Sequence, residues 1–172
     1  MTKLVGILGY PLGHSISPVF QQAAFDHYGL DVRYEAWETA PEDLEKTISK
    51  LKGPDFLGAN VTVPHKEAVV PHLDQIDERA KSIGAVNTIV NRDGSLVGYN
   101  TDIHGFLRAL TQDGAFSPKG KSVLVMGVGG VARAVAEWMV DGTPSLDLRE
   151  CDISRFHPHA RTPSYALARG VE

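Results

Sequence analysis

The sequence predicts an α/β protein, with a mainly parallel sheet flanked by helices and a second, incomplete α/β unit behind it. Three observations carry this. Short apolar runs of strand length alternate with runs at helical period from Leu4 to Leu110, the pattern of a sheet whose strands are joined by helices. One pair of apolar runs is joined instead by Asn91-Arg92-Asp93-Gly94-Ser95, and Asp-Gly is a strong hairpin signal. Past a polar stretch at 112–121, which holds two glycines and a proline, a strand, a glycine-rich turn and a helix follow once more.

Leu4 to Leu8 is an apolar run closed by glycine, as in a buried strand. Ser17-Pro18 reads as N-cap and first helical residue. Phe20, Ala23, Ala24, His27 and Tyr28 follow at helical spacing, and Gly29 stops the helix. Val32 to Trp37 alternates around Val32, Tyr34 and Ala36, which predicts a strand. Thr39 is placed to cap the next helix, with Pro41 early in it and Leu44, Ile48 and Leu51 on one face. Gly53-Pro54 breaks that helix. Phe56 to Val63 is a strand ended by Pro64. His65 to Leu73 and Ile76 to Ile83 read as two short helices. Val86 to Val90 and Leu96 to Tyr99 flank the hairpin turn, and Thr101-Asp102 opens a helix with Phe106, Leu107 and Leu110 as its apolar face.

Beyond the linker, Ser122 to Met126 is a strand and Val131 to Val140 a helix stopped at Asp141-Gly142-Thr143-Pro144. Leu146 to Cys151 reads as a further strand, and 152–172 has little periodicity. The resulting division is a first domain over 1–101, a connecting helix and linker over 102–120, and a second domain over 121–172.

The net charge of −4 and pI of about 6.0 give no basic surface for nucleic acid. The single cysteine, Cys151, excludes an intrachain disulfide framework and suits a reducing compartment. No basic leader precedes an apolar run at the start, and no apolar run reaches membrane-span length. A cytoplasmic protein without a membrane, nucleic-acid or metal partner is expected, as a monomer or homodimer.

The segment Met126-Gly127-Val128-Gly129-Gly130-Val131-Ala132 fits G-x-G-x-x-A and sits between strand and helix, the context that gives the pattern meaning. Gly127 permits the tight turn, Gly129 lets backbone approach a pyrophosphate, and Ala132 allows close helix–strand packing. The helix start offers free N–H groups to phosphate. This predicts an incomplete Rossmann-type dinucleotide-binding domain; the plainer alternative is a tight turn without a ligand. Upstream, Asn60, Thr62, His65 and Lys66 interrupt the end of a strand and start a helix, where ligands bind in open α/β sheets. Lysine at a helix start opposes the helix dipole, although Lys66 alone reads best as a solvated surface residue. Asn87, Asn100 and Asp102 form a third polar group. Asp102 has a plain explanation as a helix-starting acid, and Ser15 and Ser17 as a turn and a cap. Together these groups suit a polyhydroxylated carboxylic acid.

GYPLGHSISP at the N-terminus, NVTVPHK at Asn60 to Lys66, GAVNT at Gly84 to Thr88, GYNTD at Gly98 to Asp102 and GVGGVAR at Gly127 to Arg133 together resemble shikimate dehydrogenase, in order and spacing over roughly residues 3 to 136. The resemblance implies NADPH-dependent reduction of 3-dehydroshikimate to shikimate in aromatic amino-acid biosynthesis, with NAD as a possible substitute. It makes Lys66 and Asp102 the catalytic pair. It gives Ser15 and Ser17 the substrate carboxylate, and Asn60, Thr62, Asn87 and Asp102 the ring hydroxyls. Glu78, Gly127, Val128, Gly129, Gly130 and Val131 are implied to touch the cofactor. A ketone reduction needs hydride at carbon and a proton at oxygen, and a positioned ammonium can supply the proton.

The resemblance weakens downstream. The family is longer, so a truncated cofactor half is expected. Leu148-Arg149-Glu150-Cys151-Asp152 stands where an Asn-Arg-Thr segment meets the 2′-phosphate. From Ala136 the tail resembles FAD-dependent dimethylglycine or sarcosine dehydrogenases. Two further readings follow: a shikimate-binding module that turns over poorly, and a relative that accepts quinate.

Overall fold

A computed structural model describes residues 1–116. The strand at Ser122, the glycine-rich turn, the helix from Val131 and everything after them lie outside the described residues. The chain divides into two units, Met1–Thr101 and Asp102–Glu172.

The first unit carries one six-stranded sheet in the order β2-β1-β3-β5-β6-β4. Its strands are β1 (Lys3–Gly9), β2 (Val32–Glu38), β3 (Phe56–Val61), β4 (Gln75–Ile76), β5 (Thr88–Arg92) and β6 (Ser95–Tyr99). The helices are α1 (Ser17–His27), α2 (Leu44–Lys50), α3 (His65–Ala68) and α4 (Glu78–Ile83). β1 pairs parallel with both β2 and β3, and β4 pairs parallel with β6. Only β5 among the described strands runs against its neighbours. The sheet is therefore mainly parallel, as the sequence predicts.

Strand alternation sorts the two faces. On one face Leu8, Ala59, Val61, Ile89 and Leu96 join Leu44, Ile48 and Leu51 of the α2 segment and Val69, Ala80 and Val86 in one buried core. The predicted apolar stripe of α2 is the stripe that is buried. On the other face Ile7 and Tyr34 pack with Leu12, and Val5 and Phe25 flank them, under α1. Gly58 sits where β3 meets β5: at φ +149° a Cβ there would lie 2.0 Å from the Ile89 carbonyl oxygen, so no other residue fits.

The hairpin turn forms as expected, with Asp93 and Gly94 at φ 52° and 90°. Asn91 anchors it. Its Oδ1 accepts from Gly94 N at 2.7 Å, while its Nδ2 donates to the carbonyls of Leu51, Gly53 and Phe56 at 2.8–2.9 Å.

Three expectations are corrected. Ile16, not Ser17, is the N-cap of α1; it already holds helical angles and no side chain caps the helix. Thr39 caps nothing. Pro41–Asp43 forms a 3-10 turn behind Ala40 and leads into α2, while the Thr39 hydroxyl donates to the Trp37 carbonyl at 3.1 Å. The two helices expected over 65–83 are α3, a 3-10 turn at Val70–His72, and α4, with β4 between them. Asp74 makes that strand possible: its N–H donates to Leu96 O at 3.0 Å and its Oδ2 accepts from Leu96 N at 2.8 Å.

In the second unit, α5 (Thr101–Arg108) starts where predicted, with Asp102 in its first turn, and continues as a π-turn over Ala109–Asp113.

Candidate functional site

Strand direction brings separate segments to one rim. β1 and β3 are parallel neighbours, so the loops leaving their carboxyl ends are adjacent. β5 runs the other way, so its amino end lies beside them. Ligands of open α/β sheets bind at such carboxyl ends.

Asn60 sits on β3 between Ile7 of β1 and Thr88 of β5. It is part-buried, on the face opposite the large core. Its Oδ1 accepts from the Tyr34 hydroxyl at 2.7 Å. Burial pushes the Tyr34 phenol up to about 12. Thr62 continues the same face just past the strand end.

The turn after β3 is tied down by backbone bonds. Thr62 N donates to Leu8 O at 2.9 Å, Tyr10 N to Val63 O at 3.0 Å and His65 N to Thr62 O at 2.9 Å. His65 is buried, and its Nε2 meets the Thr39 carbonyl at 2.7 Å, which requires the tautomer protonated at Nε2. The sequence grouped His65 with ligand-facing residues; it faces into the protein instead. Lys66 follows in α3, part-buried, and its carbonyl accepts from Val86 N at 2.7 Å. Val61 N donates to Asn87 O at 2.8 Å. Asn87 is thus knitted to the end of β3, and Lys66 to Val86 beside it.

The buried Asn87 amide has scaffold work. Its Oδ1 accepts from Thr101 N and from the Thr88 hydroxyl, and its Nδ2 donates to the Thr101 hydroxyl, all at 2.9 Å. Asn100, the other amide of that group, is also buried and donates to Ala85 O at 2.9 Å.

The loop after β1 carries the two serines. Leu12 N donates to Glu38 Oε2 at 2.8 Å, Ser15 N to Leu12 O at 2.8 Å, and Ser17 N to Ser15 Oγ at 3.4 Å. Gly9 lets this loop leave: a Cβ there would stand 2.5 Å from Thr62 Cγ2. The loop that carries Ser15 and Ser17 thus leaves β1 beside the Thr62–Val63 turn that follows β3.

Asp102 is the first residue of the second unit. Glu78 stands exposed at the first turn of α4, after the cap Asp77, whose carboxylate accepts from Arg79 N at 3.1 Å. A carboxylate there suits hydroxyl or amide donors and repels phosphate, so Glu78 fits the neutral parts of a dinucleotide and not its pyrophosphate. Gly127, Val128, Gly129, Gly130 and Val131 lie outside the described residues. Among the described residues no group of three or more His, Cys, Asp or Glu side chains could hold a metal ion.

Residues 7–89 match the family described as shikimate dehydrogenase substrate binding domain. That span holds every residue of the rim. Over that span the chain is similar to the shikimate dehydrogenases. Similarity to shikimate dehydrogenase (NADP(+)) of Moorella thermoacetica reaches 53% identity over 135 residues, 78% of this chain and 45% of the relative. The chain spans about half the length of the curated relatives it matches. A crystal structure of shikimate 5-dehydrogenase from Thermus thermophilus in complex with shikimate matches at 37% identity and TM-score 0.70, over 96% of this chain and 59% of that one. A ligand-free 5-ketofructose reductase from Gluconobacter matches at 38% identity and TM-score 0.70, over 81% of this chain and 50% of that one. Residues 141–172 match a different family, the FAD dependent oxidoreductase central domain. The shikimate dehydrogenase resemblance and the change of character in the tail are both present in the comparisons.

Two residues that organise the rim carry no sequence signal for that work. An aromatic residue within an alternating strand reads as core, and Tyr34 is core, yet its hydroxyl reaches Asn60. His65 stands out in the sequence by position, and only the fold turns it toward Thr39.

Proposed function

We propose that the chain carries the substrate half of an oxidoreductase that reduces 3-dehydroshikimate to shikimate with NADPH, in the biosynthesis of aromatic amino acids. The observation behind this is the gathering of Asn60, Thr62, Lys66 and Asn87 at one rim, inside the span that matches the substrate binding domain. Residues 1–101 form the substrate domain in this reading, 102–120 a connector and 121–172 a cofactor domain. The setting is cytoplasmic; no helix among the described residues is long and apolar enough to cross a membrane.

Ser15 and Ser17 hold the substrate carboxylate through their hydroxyls. Asn60, Thr62, Asn87 and Asp102 meet the ring hydroxyls. The bound nicotinamide supplies hydride; Glu78 would hold its neutral portion and Gly127 to Val131 the pyrophosphate. The Lys66 ammonium donates its proton to the carbonyl oxygen as charge grows there, and regains one from solvent. Asp102 orients that ammonium.

A second reading has its own support. Residues 141–172 match another family, in the region where a cofactor domain would continue. A chain of this kind binds shikimate and turns over slowly or not at all. Calorimetry with shikimate, quinate, NADP and NAD, followed by a turnover assay, separates the two. Shikimate is expected to bind more tightly than either dinucleotide. Lys66→Ala should remove any turnover and leave shikimate binding measurable. Equal loss of both would make Lys66 a binding residue only, and no shikimate binding by the unmodified chain would overturn the substrate assignment.

A further inference from the structure

Tyr34 raises a question of cost. The residue is only 6% exposed and packs with Ile7 and Leu12, its ring 6.4 Å from the ring of Phe25. Phenylalanine would fill that space without burying a hydroxyl, and a buried hydroxyl is unfavourable unless bonded. The hydroxyl of Tyr34 crosses the sheet to reach β3. Its register partner on β1 is Val5, while Asn60 lies opposite Ile7. Among the described residues that hydroxyl donates to the Asn60 side-chain carbonyl oxygen, at 2.7 Å. The backbone behind the ring is also fixed, since Tyr34 N donates to Gln22 Oε1 at 2.8 Å.

An asparagine amide presents a donor end and an acceptor end of nearly equal shape, and its neighbours decide which way it points. We propose that Tyr34 is a positioning residue for the substrate site: it holds the Asn60 carbonyl inward, so that the amide nitrogen is the end offered to ligand oxygen at the rim. This rests on the substrate assignment above, and adds that the rim is set to recognise an acceptor at Asn60. Without the hydroxyl, the amide turns between two orientations and the ligand must select one. A shell that locks a contact residue in this way preorganises binding without touching the ligand.

The test uses the full 172-residue chain and its variants Tyr34→Phe, Asn60→Ala and the double variant, titrated with shikimate. Phenylalanine keeps the ring packing. Loss of one neutral hydrogen bond corresponds to about a 5- to 10-fold weaker dissociation constant, and that loss is expected for Tyr34→Phe. In the Asn60→Ala background the same change should have no further effect on affinity, because Tyr34 acts through Asn60. Additive losses, or undiminished affinity in Tyr34→Phe, overturn the proposal. A second readout needs no ligand. The assigned side-chain amide resonances of Asn60 should move and exchange faster in Tyr34→Phe than in the parent chain; unchanged resonances overturn it as well. If the parent chain fails to bind shikimate, the substrate assignment falls, while the amide resonances still decide whether Tyr34 fixes Asn60.

Discussion

Gly9 shows how little room the rim leaves. A methyl group there would meet Thr62 Cγ2 at 2.5 Å, Leu12 Cδ2 at 2.8 Å and the Val63 carbonyl oxygen at 3.1 Å. Overpacking of this kind costs about 1–3 kcal/mol. Gly9→Ala should lower the urea midpoint accordingly and weaken shikimate binding, because Thr62 must move. Thr62→Ser in the same background removes the nearest methyl and should restore part of the stability; no recovery would mean that Leu12 or the backbone carries the strain. At this scale the sequence was legible where chemistry is unusual for its place. Asn60, Thr62 and Lys66 interrupt apolar pattern at a strand end, and they do stand at the rim. It was not legible where the deciding variable is a backbone angle. Ser17 has the composition of a cap, yet Ile16 occupies that position. Tyr34 was hidden because its ring satisfies the strand pattern, and a pattern is blind to where a hydroxyl ends.

Among the elements, β4 is the one that only tertiary structure explains. Two residues cannot announce themselves by period, and the helical signals on both sides absorb them. What holds β4 beside β6 is Asp74, whose carboxylate accepts from Lys52 Nζ and from Leu96 N, both at 2.8 Å. The Lys52 bond, followed by the Leu96 N–H, keeps the Asp74 carboxyl below its usual range. An acid held low in the folded state contributes stability above the unfolded value of about 3.9, and that contribution is lost as pH falls through the folded value. Asp74→Asn keeps an oxygen for Leu96 N and deletes the charge. The variant should therefore be less stable than the parent near neutrality, with the gap closing in acid and narrowing in high salt, since the pair is exposed. Thermal unfolding across pH 2 to 7 measures this; a gap that persists at the acid end would assign it to something other than ionisation. Elements with a full period, such as α2 with Leu44, Ile48 and Leu51, were read correctly because burial and period agree.

For the molecule as a whole, the alternation of strands and helices conveys a mainly parallel sheet, and the Asp93-Gly94 turn conveys one antiparallel pair. Neither conveys the strand order. That β5 lies against β3, with β4 at the far edge, depends on crossovers whose contacts are distant in sequence. That order is also what gathers the rim, so individual residues could be named before their meeting place could be. If the rim binds shikimate, the ligand should stabilise the folded chain: at a hundred times its dissociation constant a ligand adds about 2.7 kcal/mol. Saturating shikimate should raise the unfolding temperature, quinate less, and a dinucleotide alone less again. An identical transition with and without shikimate would count against a formed site.

The reversed direction of β5 has a practical corollary for building a sensor. Asn87 precedes the amino end of the strand, at the rim, while Asp93 and Gly94 turn at its other end. Five residues of strand separate the two, or about 17 Å at ~3.4 Å each. A fluorophore attached at Asp93 is therefore outside the reach of a small ligand at Asn60. Attachment there leaves ligand affinity unaltered, which makes this turn the natural point for tethering the chain to a sensor surface.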